Sequence, residues 1–149
     1  MIKFQFPSYS FRIRGESSRE VWDMIRNKWV ALTPEEFVRQ HAIHFFIHDL
    51  NFPKGRIGVE TEVVFHGMKR RADLVLYTRE ASPLLIAEFK APTVRIEEAA
   101  LSQTLRYNSV LKAPWLFISN GHEHALCEVN VEKATGKWLT EISDWKFVQ

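Results

Sequence analysis

The run LLIAEFKAP at residues 84–92 constrains the fold of this chain most strongly, because its apolar residues are typical of a buried strand. A helical pattern over residues 97–112 follows it, and a second, fully apolar strand pattern occupies residues 115–119. Two strands that are joined through a helix usually pair in parallel. The sequence therefore predicts an α/β fold with a mixed central β-sheet flanked by helices.

Two helices are predicted in the N-terminal third of the chain. Residues 19–32 carry apolar side chains at helical spacing and predict a short amphipathic helix with Arg26 and Lys28 on its solvent side. The predicted core side of this helix consists of Val21, Trp22, Ile25 and Trp29. The next residues, Thr33-Pro34-Glu35-Glu36, form a capping-box pattern and predict a second helix that runs to about residue 50.

The other strands are predicted in two hairpins. Residues 57–64 and 71–77 alternate in polarity and are rich in β-branched residues, and the intervening His66-Gly67 is typical of a hairpin turn. Residues 125–131 and 138–142 predict a closing hairpin around Thr135-Gly136. Together with the first two strand patterns, they complete the predicted sheet.

Length and composition indicate one globular domain that covers residues 1–149. The single cysteine, Cys127, excludes an internal disulfide, and the first residues lack the apolar stretch of a signal peptide. No apolar run is long enough to cross a bilayer, so we expect a cytoplasmic protein without a membrane partner. The net charge of +2 permits nucleic-acid binding but does not by itself indicate it.

The charged pair inside the 84–92 run is the candidate site. Side chains alternate across a strand, so Glu88 and Lys90 are expected on one face, and Asp73 joins them if the preceding strand pairs with this one. Two carboxylates in an apolar setting repel each other unless a cation lies between them. Magnesium suits a site with only one or two carboxylates, so we expect Mg²⁺ there, with Mn²⁺ as a substitute. Lys90 could orient or deprotonate the attacking water and face a phosphate.

These residues resemble a known family. Asp73 followed by Glu88-x-Lys90 is similar to the PD-(D/E)xK nuclease signature, with Ala72 in place of the motif's proline. The segments TPEEFVRQHAI, VETEVVFHGMKRRADLVLY, LLIAEFKAP, QTLRYN and WLFISNG resemble the N-terminal nuclease domain of type I restriction enzyme R subunits over about residues 20–143. The resemblance implies a restriction-endonuclease-like three-layer fold.

The resemblance also implies roles for individual residues. Asp73 and Glu88 would bind the metal, and Lys90 would be the catalytic lysine. Gln103 and Tyr107 match a QxxxY element, which would hold the attacking water or a DNA phosphate. A further residue, Glu36, matches a glutamate that is often found on the first core helix of the family, and helix capping is its alternative role.

The function implied by this resemblance is that of a magnesium-dependent DNA endonuclease of a restriction system. The alternative is a non-catalytic nucleic-acid-binding or partner-docking module that retains the nuclease fold. A second alternative is an interaction domain without nucleic-acid affinity. Implied partners are DNA, a second copy of the chain for double-strand cleavage, and methyltransferase and specificity subunits. The sequence contains no G-x-x-x-x-G-K-[ST] loop, so no ATP site is expected.

Several other clusters have simpler interpretations. His41, His44 and His48 follow one side of a predicted helix, and the sequence favours surface or partly buried histidines over a zinc site. His122, His124 and Cys127 form a weak ligand pattern. The basic run at residues 69–71 is a candidate for phosphate contacts. The tryptophans and phenylalanines are interpreted as core and helix packing rather than as base-stacking platforms.

Overall fold

A six-stranded mixed sheet forms the centre of the molecule. The structure is a computed structural model that describes residues 1–142 and 144–149, with only the backbone of Phe65. The sheet strands are β4 (Ile57–Phe65), β5 (Met68–Tyr77), β6 (Pro83–Phe89), β7 (Trp115–Ser119), β8 (His124–Asn130) and β9 (Thr135–Trp138), in that spatial order. The β6–β7 pair is parallel and the other pairs are antiparallel. The predicted mixed sheet is therefore confirmed.

Two helices cover opposite faces of this sheet. Helix α1 (Pro34–His44) packs with Leu74, Ala87 and Phe117, and helix α2 (Glu98–Leu111) packs with the alternate residues Val75 and Ile86. Because successive strand residues point to opposite faces, these two sets of core residues lie on the two sides of the sheet. The predicted three-layer arrangement, with a helix on each side of a central sheet, is confirmed.

Helix α1 begins where the sequence predicts. The Thr33 side chain accepts a hydrogen bond of 3.1 Å from the Glu36 backbone N–H. The Glu36 carboxylate does not complete a capping box, because the Thr33 N–H donates to the Ala31 carbonyl instead. After His44 the helix continues as a five-residue π-helical turn, Phe45–Asp49.

The predicted helix at residues 19–32 is wrong, because this segment forms strands. A small antiparallel sheet contains β1 (Ile13–Arg14), β2 (Glu20–Asp23) and β3 (Lys28–Ala31). The Asp23 carboxylate accepts hydrogen bonds from the backbone N–H groups of Ile25 and Arg26, and Asn27 has a left-handed φ of 52°. An aspartate whose carboxylate accepts hydrogen bonds from the backbone N–H groups that follow it favours a turn over a helix.

The predicted hairpin turn at His66-Gly67 is confirmed, since it joins β4 to β5 and both residues have positive φ. The closing hairpin exists, but its second strand was predicted at the wrong position. Thr135 and Gly136 lie inside β9 rather than in the turn, which occupies residues 131–134 and contains Ala134 at a φ of 52°. Two short 3-10 helices, Lys54–Arg56 and Lys146–Val148, complete the described elements. None of the described helices is both long and apolar enough to span a membrane.

Candidate active site

Asp73 lies where strands β5 and β6 separate. The backbone ladder between these strands ends at the Leu74–Ala87 pair. One residue further along, Oδ2 of Asp73 accepts a hydrogen bond of 2.7 Å from the Phe89 backbone N–H. The side chain thereby takes the place of a backbone acceptor at the diverging strands, which fixes the carboxylate beside Glu88.

Glu88 and Lys90 line one cavity, as their spacing predicts. The cavity has a volume of about 430 Å³. The β6 end contributes Glu88 and Lys90, and α2 contributes Gln103 and Tyr107. Of the basic run at residues 69–71, Arg70 and Arg71 line the same cavity and Lys69 does not. The cavity therefore brings together Glu88, Lys90, Gln103 and Tyr107, and Asp73 lies beside Glu88 just outside its lining.

The Glu88 carboxyl is electrostatically strained in this setting. Burial raises the pKa of Glu88 to about 9, and the neighbouring Asp73 carboxylate adds to the rise. The Tyr107 hydroxyl and the Lys90 ammonium oppose this rise in pKa, but they do not outweigh it. Burial and the Glu88 carboxylate also raise the pKa of Tyr107. Two carboxyl groups that compete in this way hold a proton at neutral pH until a cation replaces it.

Arg39 connects helix α1 to the site from the other side of the sheet. Its guanidinium lies 3.5 Å from Oδ1 of Asp73, 3.3 Å from Oε2 of Glu36 and 3.4 Å from Oε1 of Glu60. The Arg39 side chain is only 5% exposed. Because buried charges interact strongly, this residue holds three carboxylates in fixed relation. No sequence motif indicated Arg39 as a residue of the site.

The small N-terminal sheet joins the same buried network of ion pairs. The Asp23 carboxylate is fully buried and accepts hydrogen bonds from Arg26 (3.0 Å) and Gln40 (2.9 Å). The Arg26 guanidinium also contacts Glu36 at 2.5 Å and Glu60 at 3.5 Å. The sequence interpretation of Arg26 as a solvent-facing residue is wrong, because the turn after Asp23 directs it inward.

The structure places the two glutamates of the capping-box pattern in different surroundings. Glu36 is buried among Arg26, Arg39 and Gln40, and it does not line the cavity. Its neighbour Glu35 is 47% exposed, and burial and then the Asp73 carboxylate raise its pKa, while Arg39 and Lys90 lower it. The Glu35 carboxyl therefore interacts electrostatically with Asp73 and Lys90. The i, i+4 spacing of Glu35 and Arg39 is the sequence pattern that could have predicted their contact.

The donor set suits a hard divalent cation of the magnesium type. Within the described ranges no group of three or more His, Cys, Asp or Glu side chains could hold a metal ion. Asp73 and Glu88 offer two carboxylates, which is a common protein contribution to a magnesium site, since water and substrate phosphate supply the remaining ligands. The raised pKa of Glu88 fits this interpretation, because a cation relieves the repulsion that causes part of the shift.

The histidine clusters pack against aromatic rings. His41 and His44 contact Phe11, with ring centroids 4.8 Å apart in both cases, and burial lowers the pKa of His44 to about 4. His48 packs against His44. His124 is fully buried and hydrogen-bonded to Ser119 at 2.8 Å. His44 and His124 are buried and pack within the core, whereas His48 is exposed.

Two other members of the second cluster lie apart from this hydrogen bond. His122 is exposed at the turn before β8, and burial raises the pKa of Cys127 to about 11. A thiol with such a pKa stays protonated near neutral pH and is a poor metal ligand. The pattern of His122, His124 and Cys127 therefore does not form a metal site among the described residues.

Comparison with known proteins identifies the family. Residues 34–143 match the family described as the type I restriction enzyme R protein N terminus. Among solved structures, a fragment described as an HsdR subunit of a type I restriction enzyme from Vibrio vulnificus YJ016 matches with 23% identity and a TM-score of 0.36. That match covers 58% of this chain and 16% of the other, so this chain spans a small part of that protein's length. A search of curated proteins gives no match.

The family match covers more than half of the chain and includes every residue of the candidate site. It confirms the resemblance found in the sequence, and the three-layer arrangement is the restriction-endonuclease-like α/β fold that the resemblance implies. The chain therefore belongs to the family of type I restriction enzyme R protein N-terminal domains.

Proposed function

We propose that this domain hydrolyses phosphodiester bonds of DNA with Mg²⁺, or Mn²⁺ as a substitute, as part of a restriction system. The observation that carries the proposal is that Glu88 and Lys90 line one cavity while the Asp73 carboxylate lies beside Glu88 and raises its pKa. A buried carboxyl pair beside a lysine destabilises the metal-free site, which is typical of functional rather than purely structural groups.

The bound metal, held by Asp73 and Glu88, would supply Lewis-acid stabilisation of the phosphate and activation of the attacking water. In the hydrolysis, the water oxygen forms a new bond to phosphorus while the bond to the leaving sugar oxygen breaks. Lys90 faces the cavity, where its ammonium group can stabilise the growing charge on the phosphate oxygens.

The remaining cavity residues would position the substrate. Arg70 and Arg106 line the cavity and can donate hydrogen bonds to the phosphates on either side of the scissile bond. Gln103 and Tyr107 lie one helical turn apart on α2 and face the same cavity, where Tyr107 lies beside Glu88. Neither acid of α1 lines the cavity: Glu36 is coupled to it through Arg39, which contacts Asp73, and Glu35 through the charges of Asp73 and Lys90. We propose that Glu35 is the acid that acts at the site, because its side chain is accessible whereas Glu36 is buried in ion pairs.

The experiment is a cleavage assay on supercoiled, linear duplex and single-stranded DNA with Mg²⁺ or Mn²⁺. Wild type should cleave at least one form, and EDTA should abolish cleavage. Lys90→Met should reduce turnover about a hundredfold or more, since an electrostatic stabiliser of the transition state is removed. Lys133→Met, at an exposed turn, is the matched control and should cleave as wild type does. No cleavage of any form, or full activity of Lys90→Met, would contradict the proposal.

The same assay distinguishes the alternative of a non-catalytic module. Salt-dependent DNA binding without cleavage under any metal condition would assign this domain to DNA binding or to docking of methyltransferase and specificity subunits. One site cuts one strand, so we further propose that double-strand cleavage requires two copies of the chain. A linear dependence of double-strand cleavage on protein concentration, with a monomer in light scattering, would contradict that arrangement.

A further inference from the structure

Trp22 and Trp29 form a pair outside the core. They lie opposite each other in the β2–β3 ladder, with ring centroids 5.6 Å apart and an interplanar angle of 72°. Both rings are half-buried, and neither belongs to the hydrophobic clusters of the described residues. Their strand neighbours Val21 and Asp23 point inward and are fully buried. The two indoles therefore face outward, so the interpretation of these tryptophans as core packing is wrong.

Two arginines cover this tryptophan pair. The Arg12 guanidinium carbon lies 5.1 Å from each ring centroid, and that of Arg14 lies 4.4 Å from the Trp29 ring. Arg14 forms an ion pair with Glu20 at 2.9 Å. Arg12 is exposed and has no acidic partner within the part of the chain that the structure describes. One stacked arginine thus keeps its hydrogen-bond donors available to solvent.

A guanidinium that stacks on aromatic rings is preorganised for an anion. The rings restrict its rotamers, while its N–H groups point outward in the guanidinium plane. The half-buried indoles beside it offer flat apolar surface at low entropic cost where the arginines leave them uncovered. Glu20, the acid on the same face as Trp22, is already paired with Arg14. The combination complements a chain of phosphates that carries flat bases, as in single-stranded nucleic acid.

We propose that the outer face of the small sheet, formed by Arg12, Arg14, Trp22 and Trp29, binds a single-stranded DNA segment outside the cleavage cavity. Arg12 contacts a phosphate, and bases stack on the part of the half-buried indoles that the arginines leave accessible. The proposal rests on the proposed function in that DNA is the substrate. The four residues precede the segment that matches the family, which begins at residue 34, so this surface is additional to the family-matched domain.

The binding face is mechanically connected to the cleavage cavity. Asp23, the residue after Trp22, accepts a hydrogen bond from Arg26, and Arg26 contacts Glu36. Glu36 in turn contacts Arg39, which contacts Asp73. A strand held on the outer face therefore has a fixed position relative to the site, because each link in this chain is a buried or partly buried ion pair.

The test measures binding without cleavage. Fluorescence anisotropy of a labelled 20-nucleotide single strand in EDTA is recorded for wild type, Arg12→Ala and the double variant Trp22→Thr/Trp29→Thr. Threonine retains strand propensity while removing the rings. Circular dichroism and urea unfolding check the fold of each variant, and Arg12→Ala keeps the test valid should the double variant unfold.

We expect Arg12→Ala to weaken binding about threefold or more and to reduce the slope of log K against log salt by about 0.7. The double tryptophan variant should weaken binding about tenfold or more. The control Arg79→Ala changes an exposed arginine at the β5–β6 turn and should stay within about twofold of wild type. If the variants lost affinity for duplex DNA but not for the single strand, the single-strand assignment would be overturned.

Failure of this inference differs from failure of the proposed function. Unchanged binding by Arg12→Ala and by the tryptophan variant would overturn the inference even if wild type cleaves DNA, and it would leave the face to a protein partner. Absence of binding by wild type would overturn it as well. If the variants lost binding and wild type did not cleave under any metal condition, the binding face would be supported and the proposed nuclease activity would be rejected.

Discussion

The Arg39 guanidinium lies 3.5 Å from Oδ1 of Asp73 and so connects helix α1 to the end of β5, where the candidate metal ligands meet. The same guanidinium contacts Glu36 and Glu60. One nearly buried cation therefore contacts carboxylates from α1, β4 and β5. This relationship gives the site a rigid support that is independent of any bound ion.

Replacing Arg39 should destabilise the protein strongly. Arg39→Met leaves the buried Glu36 and the half-buried Asp73 with less compensation, so we expect the free energy of unfolding in urea to fall by about 3–5 kcal/mol. Arg39→Lys keeps the charge but loses the planar fork, and should show a smaller loss. Arg79→Met is the exposed control and should change stability by less than about 0.5 kcal/mol. If Arg39→Met were as stable as wild type, the network would have no supporting role.

The stability of the metal-free protein should fall as pH rises. The folded-state pKa of Glu88 is about 9, above the ordinary value of 4.5, so the folded state binds a proton that the unfolded state releases between these values. The stabilisation from this group is therefore complete below about pH 4.5 and is lost as pH rises toward 9, by at most about 1.4 kcal/mol per pH unit.

Glu88→Gln removes this titration and provides the comparison. With EDTA present, the difference in unfolding free energy between Glu88→Gln and wild type should grow in favour of the variant from pH 6 to pH 9. Urea unfolding at four pH values measures the difference. Parallel pH profiles for the two proteins would show that the Glu88 pKa is not raised in the fold.

Glu35 and Glu36 should separate function from stability. Glu35→Gln changes a half-exposed side chain near Asp73 and Lys90, so we expect about tenfold weaker cleavage with an unfolding free energy within about 0.5 kcal/mol of wild type. Glu36→Gln removes the buried partner of Arg26 and Arg39 and should destabilise the fold by about 2 kcal/mol or more. Cleavage kinetics and urea unfolding on both variants test this. The opposite pattern would make Glu36 the functional residue.

The sequence predicts the sheet and the Asp73, Glu88 and Lys90 group because both depend on alternation along strands. Glu88 and Lys90 share a face by spacing alone, and Asp73 reaches them through the pairing of adjacent strands. The buried ion network is different. Arg26 and Arg39 reach their partners only after α1 and the small sheet dock together, and no local pattern encodes that docking.

The misassigned segment at residues 19–32 has a physical explanation. Val21, Trp22, Ile25 and Trp29 fit a helical period, but β-branched and aromatic residues also favour strands, and the Asp23 side chain favours the turn that follows it. Turn chemistry therefore outweighed periodicity. In the closing hairpin, Gly136 indicated a turn, yet it lies within β9 against Cys127, where a Cβ atom would lie 2.5 Å from the thiol sulfur.

The most direct test of the account is a calorimetric titration of the protein with Mn²⁺ at pH 8, comparing wild type with Asp73→Asn and Glu88→Gln. Glu62→Gln, at an exposed position of β4, is the matched control. The account predicts that wild type and the control bind about one ion per chain and that each site variant binds at least about tenfold more weakly. Equal affinity in wild type and both site variants would show that Asp73 and Glu88 do not share a metal ion.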